Sequence, residues 1–385
     1  MQLSVKETAE KFESLFHVQP KLFFSPGRIN LIGEHIDYND GFVMPAAIDK
    51  GMLFAIAENN SDKINVFSVD MNEWLNVSLN EIKRMEGWKN YLLGMIDQLQ
   101  KNNFPLRGFD GVFGGDVPIG AGLSSSAAAE CGLGFALDTI FNFNISRKNI
   151  ALLGQKAEHS FPGVNTGIMD QFANMMGEKN HVLLLDCITL DYEKIPFNLK
   201  NHIVILINSK VHHDLATGEY NKRRKQCEEG LAIIQKKYPE IKSFREVKPQ
   251  QVLAIKEDFS DEIFRRCLYV TQEIERTIKA ADLLKQNKLN EFGKLMFETH
   301  EGLKNLYNVS CPELDFLVDE AKKFPEIIGA RLVGGGFGGC TINIIEKEKA
   351  DEIVSKISCA YQQKFKIEPE VYKIKISDGT HEITL

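Results

Sequence analysis

The segment from Pro118 to Glu130 constrains the fold more than any other, because a glycine-rich turn leads directly into small residues. Its letters, PIGAGLSSSAAAE, predict a helix that begins near Ser124 and continues to Phe141. The first turn of a helix leaves about four backbone N–H groups without partners, and it carries about half a positive charge. Glycines allow an anion to approach these groups, and serine hydroxyls can bind phosphate oxygen or a cation. The segment therefore indicates a phosphate-binding helix start. The alternative is an ordinary helix start capped by Ser124.

The common nucleotide-binding and kinase motifs are missing from the sequence. It contains no GxxxxGK[ST] loop and neither HRD nor DFG. Residues Gly329–Cys340 include a GxGxxG pattern, but the Thr-Ile-Asn-Ile-Ile that follows predicts a strand, whereas a dinucleotide fold requires a helix there. This late glycine segment therefore predicts two strands joined by a glycine hinge, with backbone close to a ligand.

A second polar cluster lies in the turn-rich segment Ser25–Gly41, which contains Arg28, Glu34, His35 and Asp37. The two carboxylates can each accept hydrogen bonds from vicinal hydroxyls, and the imidazole can donate or accept. This combination suits a small polyol or sugar. A surface loop with solvated charges is the alternative.

Three further residues are candidates for the chemistry. Glu158, at the end of a predicted helix, can complete the oxygen shell of Mg²⁺ together with a serine hydroxyl. Asp170, after a glycine turn, can accept the proton of an attacking hydroxyl. Tyr220, in the first turn of a charged helix, can point into a cleft. Taken alone, a carboxylate at such a position is more often a helix cap or a solvated surface group, and the charge run of the helix is typical of a solvated face.

Length and charge limit the remaining possibilities. A chain of 385 residues favours two domains, and the net charge of 46 − 53 = −7 argues against a basic nucleic-acid-binding face. The longest stretch without Asp, Glu, Lys or Arg, Leu332–Ile345, contains five glycines, so no membrane span is expected. Residues Met1–Phe16 are charged and lack the apolar core of a signal peptide.

The cysteines and histidines predict neither disulfides nor a metal centre. Seven cysteines are scattered without a CxxC pair, which is typical of reduced thiols in a cytoplasmic protein. The nine histidines contain only one adjacent pair, His212–His213, which we interpret as a strand end or loop.

Periodicity predicts a mixed fold whose halves differ. Strand patterns at Lys21–Ser25, Met52–Glu58 and Ile64–Ser68 dominate the first half, whereas long charged helices such as Tyr220–Lys237 and Leu268–Gln286 dominate residues 215–325. Since strands and helices mix without a regular βαβ repeat, we predict the α+β class with two lobes, residues 1–195 and 196–385.

The ordered set of motifs resembles the GHMP kinases, and within them most closely the galactokinase family. The segments that carry this resemblance run through most of residues 20–345: Gly27–Gly41, Trp88–Gly94, Gly120–Ala128, Gly167–Gln171 and Gly329–Cys340. The resemblance implies an N-terminal lobe like ribosomal S5 domain 2, a ferredoxin-like C-terminal lobe and an active site between them. It also implies ATP-dependent phosphorylation of the C1 hydroxyl of α-D-galactose. We expect small-molecule substrates, no nucleic-acid or membrane partner, and a monomer, with an oligomer left open.

The resemblance also implies roles for individual residues. By position, Asp170 matches the catalytic aspartate, and Arg28 matches the arginine that neutralises the transferring phosphate and orients that aspartate. Matches to sugar contacts are Glu34, His35, Asp37, Gly167 and Tyr220. Matches to ATP contacts are Ser68, Gly120, Ala121, Gly122, Leu123, Ser124, Ser125 and Ser126. Matches to Mg²⁺ ligands are Ser126 and Glu158. Whether the aspartate abstracts the proton or only orients the hydroxyl is open at this stage, because an adjacent arginine favours the charged carboxylate and weakens it as a base.

Two departures from the family pattern leave alternatives open. Many galactokinases have Thr in place of Ile36 and Cys in place of Thr166, and Ile36 also resembles the N-acetylgalactosamine kinase branch. Some relatives are non-catalytic sugar sensors with a shortened phosphate loop, but here Ser124–Ala128 is complete.

Overall fold

The computed structural model describes residues 4–118, 121–211 and 216–384. Gly120, one of the expected ATP contacts, and the pair His212–His213 lie outside the described residues. The described helices are α1 (Val5–Phe16), α2 (Lys89–Lys101), α3 (Ser125–Phe141), α4 (Arg147–Ser160), α5 (Met169–Met176), α6 (Ala216–Lys237), α7 (Pro249–Ala254), α8 (Asp261–Lys285), α9 (Leu289–Gly302), α10 (Pro312–Ala321) and α11 (Ala350–Phe365). The described strands are β1 (Lys21–Asn30), β2 (Phe42–Val43), β3 (Pro45–Glu58), β4 (Lys63–Ser68), β5 (Glu73–Ser78), β6 (Phe109–Gly115), β7 (His181–Asp186), β8 (Tyr192–Pro196), β9 (His202–Asn208), β10 (Ile327–Leu332), β11 (Cys340–Glu346), β12 (Glu370–Ile374) and β13 (His381–Ile383).

The N-terminal lobe is built on a six-stranded sheet in the order β13-β1-β3-β6-β4-β5. Successive side chains of a strand point to opposite faces, so each central strand supplies two layers of core. In β3, for example, Phe54 packs in the cluster that includes α3, whereas Ala55 packs in the cluster around Phe12 of α1. The sheet is thus covered on one face by α3 and its neighbouring helices and on the other by α1.

The C-terminal lobe is built on a four-stranded antiparallel sheet in the order β10-β11-β9-β12. Its chain order, with helices after β9 and after β11, is the β-α-β-β-α-β succession of ferredoxin-like folds. Residues of β9 alternate between two clusters, Val204 and Leu206 facing the side of α9 and Ile205 and Ile207 facing the side of α10 and α11. This arrangement agrees with the α+β, two-lobed prediction.

The chain does not separate cleanly at the predicted boundary between residues 195 and 196. That position lies inside β8, which pairs with β7 of the first half in a small sheet with β2. The last strand, β13, returns to pair with β1 of the N-terminal sheet, with Leu22 opposite Ile383. An added strand covers an edge that would otherwise present unpaired backbone groups. Short segments like His381–Ile383 have too weak a pattern to be assigned from sequence.

Most predicted elements are confirmed with shifted ends, and two helix starts are informative. Ser4 and Glu7 form the expected capping box of α1. Helix α8 begins at Asp261, seven residues before the predicted start at Leu268, because the Ser260 hydroxyl accepts a hydrogen bond from the Ile263 N–H.

Helix α3, whose start the sequence predicts to bind phosphate, is held tightly against the first sheet. At Gly132 of α3, an added Cβ would lie 2.5 Å from the ring of Phe54, so only glycine allows this approach. Phe54 is 2% exposed and stacks on Phe113, with ring centroids 5.5 Å apart. The start of α3 is therefore positioned by rigid core packing.

We expect Phe54→Ala to lower the free energy of unfolding by about 3–5 kcal/mol, because it removes a buried ring and leaves a cavity under α3. Differential scanning calorimetry should show a clear drop in Tm. The matched control is Val18→Ala, at a residue 48% exposed, which should change stability by less than about 0.5 kcal/mol. Equal Tm values for the two variants would contradict this account of the core.

Candidate active site

The three glycine-bearing segments of the sequence meet at one place in the structure. The Arg28 N–H of β1 donates to the Leu123 carbonyl in the turn before α3, at 3.0 Å. An added Cβ at Gly122, whose φ is +75°, would lie 2.9 Å from the Val333 carbonyl of the loop between β10 and β11. Contacts this close require glycine, since a side chain would force the two loops apart. The polar segment around Arg28, the start of α3 and the late glycine segment therefore lie at a single site.

Arg28 and Asp170 form a bidentate salt bridge at the centre of this site. The guanidinium donates from Nε to Oδ1 and from Nη2 to Oδ2, both at 2.7 Å, and from Nη1 to the Gly122 carbonyl at 2.5 Å. Burial opposes the charge of Arg28, but Asp170 outweighs it, so the pKa of the guanidinium lies above its usual value. Asp170 lies in the first turn of α5, which fixes the carboxylate at the junction of the segments.

Glu34 is fixed by hydrogen bonds from the C-terminal lobe. Its side chain is buried, and Oε1 accepts hydrogen bonds from the Gly334 N–H at 2.8 Å and from Arg331 Nη2 at 3.1 Å. The fully buried Arg331 also donates to the carbonyls of Leu31, at 2.9 Å, and Asn30. Sequence reasoning missed Arg331, although its position inside the late glycine segment beside the predicted hinge was a usable signal.

His35 reaches the pocket, but protein groups occupy both of its ring nitrogens. A carbonyl only accepts, so Nε2 donates to the Gly335 carbonyl at 3.1 Å, and Nδ1 then accepts from the Tyr38 hydroxyl at 2.8 Å. Tyr38 in turn accepts from Tyr307, 2.9 Å away. Burial lowers the pKa of His35 to about 4, which keeps the ring neutral. In this arrangement only the ring surface of His35 is available to a ligand.

Asp37, Gly167 and Tyr220 form one wall of the same pocket. Burial, together with Asp170 and Glu34, raises the pKa of Asp37 to about 7. An added Cβ at Gly167 would lie 2.0 Å from Asp37 Oδ2, so the backbone presses directly on that carboxyl. The Tyr220 ring lies 5.5 Å from the His35 ring, between centroids. Tyr220 therefore points into the cleft, and the alternative of a solvated helix face does not apply to it.

These side chains enclose a small polar cavity of about 190 Å³. It is lined by Arg28, Glu34, His35, Asp37, Thr166, Met169, Asp170, Tyr220, Gly334 and Gly335. Pockets for drug-sized ligands take roughly 300–1,000 Å³, so this one suits a single small polar molecule. The structure brings together all the expected sugar contacts, with Gly167 supporting the wall behind Asp37.

The N-terminus of α3, which we call its mouth, lies beside this cavity and has no side-chain capping hydrogen bond. Ser124 has a left-handed backbone (φ 60°) and makes no capping hydrogen bond, so the plain capped start is not what the structure has. The buried Ser124 hydroxyl has no partner in the described residues. Among the other expected contacts, Ala121 and Leu123 are buried, and the Ala121 N–H already donates to the Pro118 carbonyl at 3.2 Å. The first-turn N–H groups of α3 are the ones that suit an anion.

A second, more apolar cavity of about 350 Å³ lies on the other side of the α3 mouth. Its lining includes Met52, Ser68, Trp88, Tyr91, Phe113, Ser125 and Ser126. Ser68 therefore lies in the same cavity as the first residues of α3. The aromatic residues were not assigned from sequence, although Trp88 and Tyr91 lie in a segment that carries the family resemblance. The flat apolar walls and the adjoining anion site together suit a nucleotide.

Glu158 provides a carboxylate next to the helix mouth. It is 5% exposed, and Oε2 accepts from Gln171 Nε2 at 2.7 Å and from Thr166 Oγ1 at 3.0 Å. Burial and the neighbouring Asp170 raise the pKa of Glu158 to about 7, against the effect of hydrogen bonds that include one with the Ser126 side chain. A cation would stabilise this buried carboxylate.

The oxygen donors of Ser126 and Glu158 fit Mg²⁺, which takes few protein ligands and completes its shell with phosphate and water. Within residues 4–118, 121–211 and 216–384, no group of three or more His, Cys, Asp or Glu side chains is positioned to hold a metal. The candidate metal position therefore depends on a bound nucleotide for its remaining ligands.

The comparisons with known proteins agree with this geometry. The galactokinase galactose-binding signature matches residues 10–58, and the N- and C-terminal GHMP kinase domains match residues 90–178 and 280–363. A galactokinase from Thermosipho africanus is 41% identical over 93% of this chain and 99% of its own length. A galactokinase from Clostridium perfringens is 41% identical over 94% of this chain and 95% of its own. The chain belongs to the galactokinase family.

Solved structures place it in the same family. Lactococcus lactis galactokinase, determined in complex with galactose, superposes with a TM-score of 0.94 at 33% identity over 97% of this chain and 98% of its own. Mevalonate kinase from Methanococcus jannaschii gives 0.67 at 26% identity over 94% of this chain and 99% of its own. The GHMP fold, the galactokinase-family resemblance and the kinase class predicted from sequence are thus confirmed.

The two departures from the galactokinase pattern lie in different surroundings. Ile36 is fully buried in the core and packs against Gly41, where an added Cβ would lie 2.8 Å from it, and it does not line the sugar cavity. Thr166 does line that cavity. The Ile36 difference therefore gives no direct reason to expect a larger sugar.

Glu130 is a further buried acid near the galactokinase site that sequence reasoning did not single out. It is fully buried on α3, and neither carboxyl oxygen has a hydrogen-bond partner among the described residues. Burial, with the neighbouring Glu158, raises the pKa of Glu130 well above its usual value. This raised pKa favours the protonated, neutral form of the Glu130 carboxyl.

The raised pKa of Asp37 predicts a pH-dependent stability. The pKa is about 7 in the folded protein and near its ordinary 3.8 when unfolded, so between these values only the folded state holds the proton. The free energy of unfolding therefore falls as the pH rises from about 4 to about 7. We expect the Tm of Asp37→Asn, minus the Tm of the unsubstituted protein, to increase across this pH range and to stay constant above it. Calorimetry in a pH series measures this difference.

The exposed Asp258 supplies the control for that series, since Asp258→Asn should show no such trend. A Tm difference for Asp37→Asn that stays the same from pH 5 to pH 8 would contradict the account of this carboxyl.

Proposed function

We propose that this protein transfers the γ-phosphoryl group of ATP to the C1 hydroxyl of α-D-galactose, forming galactose 1-phosphate at the entry of galactose metabolism. The bond between the sugar C1 oxygen and the γ-phosphorus forms, the bond from that phosphorus to ADP breaks, and the hydroxyl proton leaves. The observation that carries the proposal is the Arg28–Asp170 pair, which lies between a sugar-sized polar cavity and the uncapped mouth of α3. Phosphoryl transfer depends mainly on positioning and charge neutralisation, and this junction supplies both.

Asp170 and Arg28 have complementary roles in this proposal. Arg28 holds both carboxylate oxygens of Asp170, so the carboxylate presents its remaining lone pairs in a fixed direction. Asp170 orients the C1 hydroxyl and receives its proton late, when bond formation to phosphorus has made the hydroxyl acidic. Arg28 also adds a positive charge beside the phosphoryl group in transfer.

The sugar is held by residues from both lobes. Glu34 and Asp37 accept hydrogen bonds from sugar hydroxyls, with Glu34 fixed by Arg331 and Gly334. His35 and Tyr220 supply ring surface, and Gly167 fixes the position of Asp37. A rigid clamp of this kind keeps the C1 hydroxyl in line with the phosphorus.

The nucleotide is held on the other side of the junction. The first-turn N–H groups of α3 bind the triphosphate, with Gly122, Ser124, Ser125 and Ser126 surrounding it. The cavity that contains Ser68, Trp88 and Phe113 takes the adenosine. Ser126 and Glu158 would hold Mg²⁺, which when bound neutralises charge on the β- and γ-phosphate oxygens.

The proposal also covers the cellular location and the oligomeric state of the enzyme. No helix among the described residues is long and apolar enough to cross a membrane. All seven cysteines, each within the described residues, are free thiols, which supports a reducing, cytoplasmic location. We propose a monomer that acts on small molecules and not on nucleic acid.

The test of function is ATP turnover with galactose, N-acetylgalactosamine, glucose and arabinose in parallel, measured by coupled ADP release. We expect galactose to give the highest kcat/KM, because the small cavity fits an unsubstituted hexose. Higher kcat/KM with N-acetylgalactosamine would contradict the proposed substrate. Binding of galactose and ATP without turnover would instead indicate a sensor.

We expect Asp170→Asn to lower kcat with galactose by about 10²–10⁴-fold, the range for loss of a general base, with little change in the sugar KM. Circular dichroism and calorimetry would establish that the variant is folded. Asp258→Asn, at an exposed carboxylate, is the matched control and should keep full activity. Turnover by folded Asp170→Asn at the original rate would remove Asp170 from the reaction.

A further inference from the structure

Residues 166 and 167 join the two halves of the active site. Gly167 presses its backbone on the Asp37 carboxyl in the sugar cavity, where an added Cβ would lie 2.0 Å from Oδ2. The preceding residue, Thr166, lines the sugar cavity as well. Its hydroxyl, however, is directed to the metal side, where Oγ1 donates to Glu158 Oε2 at 3.0 Å. One dipeptide therefore contacts a sugar-binding carboxyl and a metal-binding carboxyl.

The backbone of Thr166 is anchored to the helix that carries Glu158. Its carbonyl accepts from His159 Nε2 at 2.8 Å and from Gln155 Nε2 at 3.3 Å, both on α4. A hydroxyl on an anchored backbone holds its acceptor in a narrow range of positions.

Two donors act on the same oxygen of Glu158. Thr166 Oγ1 and Gln171 Nε2 both donate to Oε2, at 3.0 and 2.7 Å. These two donors fix the orientation of a carboxylate that also interacts with the Ser126 side chain, its expected partner in metal binding. Hydrogen bonds to a charged carboxylate are roughly twice as strong as neutral ones.

We propose that Thr166 is a positioning residue that couples occupation of the sugar cavity to binding of the metal–nucleotide complex, an inference that rests on the proposed function. A sugar in the cavity contacts Asp37, against which the Gly167 backbone packs, and thereby limits the movement of Thr166 that its hydrogen bonds to α4 still allow. The restrained hydroxyl keeps Glu158 oriented for the metal. Because coupling of two binding equilibria is reciprocal, the metal–nucleotide complex strengthens sugar binding by the same factor.

The test measures binding without turnover. Mn²⁺ replaces Mg²⁺ as a paramagnetic probe, and its complex with a non-hydrolysable β,γ-imido analogue of ATP is titrated by electron paramagnetic resonance, with and without galactose. For the original chain we expect galactose to tighten binding of the complex by about fivefold or more. In Thr166→Val, which keeps the shape and removes the hydroxyl, we expect a less than twofold effect, together with about tenfold weaker binding in the presence of galactose.

Two further variants make the result specific. Thr166→Ser restores a hydroxyl and should recover most of the galactose effect. Thr139→Val removes a hydroxyl that donates to the Phe135 carbonyl at 2.9 Å, near the far end of α3, and should behave like the original chain. Calorimetry of each variant without ligands shows whether the fold is retained.

The inference is overturned if folded Thr166→Val keeps the full galactose effect on Mn²⁺–nucleotide binding, or if the original chain has none. Loss of the effect in both the valine and the serine variants would also overturn it, because the hydroxyl would then not be responsible. Failure of the proposed function is distinguishable, since the original chain would then not phosphorylate galactose at all.

Discussion

The active site depends on one buried guanidinium, that of Arg28. It belongs to β1, yet its side chain contacts the turn before α3 through the Gly122 carbonyl and the start of α5 through Asp170. Removing such a charge from water is costly, and it is tolerated only when the polar partners are well placed. A buried ion pair of this kind is weak evidence for stability, but it fixes geometry. Here it aligns the cavity that we propose for the sugar, the helix start that we propose for the phosphates, and the proposed reacting carboxylate of Asp170.

A second contact explains why the two lobes must be docked for the site to exist. Glu34 comes from the N-terminal lobe, but its partners Arg331 and Gly334 come from the C-terminal lobe. Arg331 is fully buried and also bonds to carbonyls at the end of β1. The loop after β10 then approaches Gly122 so closely that neither loop can carry a side chain at the contact. The late glycine segment is therefore a structural connection between the lobes, and its backbone forms one side of the sugar cavity.

How much could be predicted from sequence depends on how far apart in the chain the interacting residues lie. Local signals were sufficient for α3, since its glycines, serines and alanines are adjacent in the chain, and for the capping box of α1. The pairing of Arg28 with Asp170, 142 residues apart, has no local signal and was expected only from the family resemblance. Arg331 and Glu130 were missed because their roles come from burial and from distant neighbours. The pairing of β13 with β1 was missed for the same reason.

The most direct measurement is a crystal structure of the protein with galactose, Mg²⁺ and a non-hydrolysable ATP analogue. The account predicts the sugar in the cavity beside Glu34 and Asp37, its C1 oxygen about 2.6–3.2 Å from the Asp170 carboxylate, and the terminal phosphate at the mouth of α3, in line with that oxygen. A C1 hydroxyl directed away from Asp170, or a triphosphate bound elsewhere than at the start of α3, would contradict it.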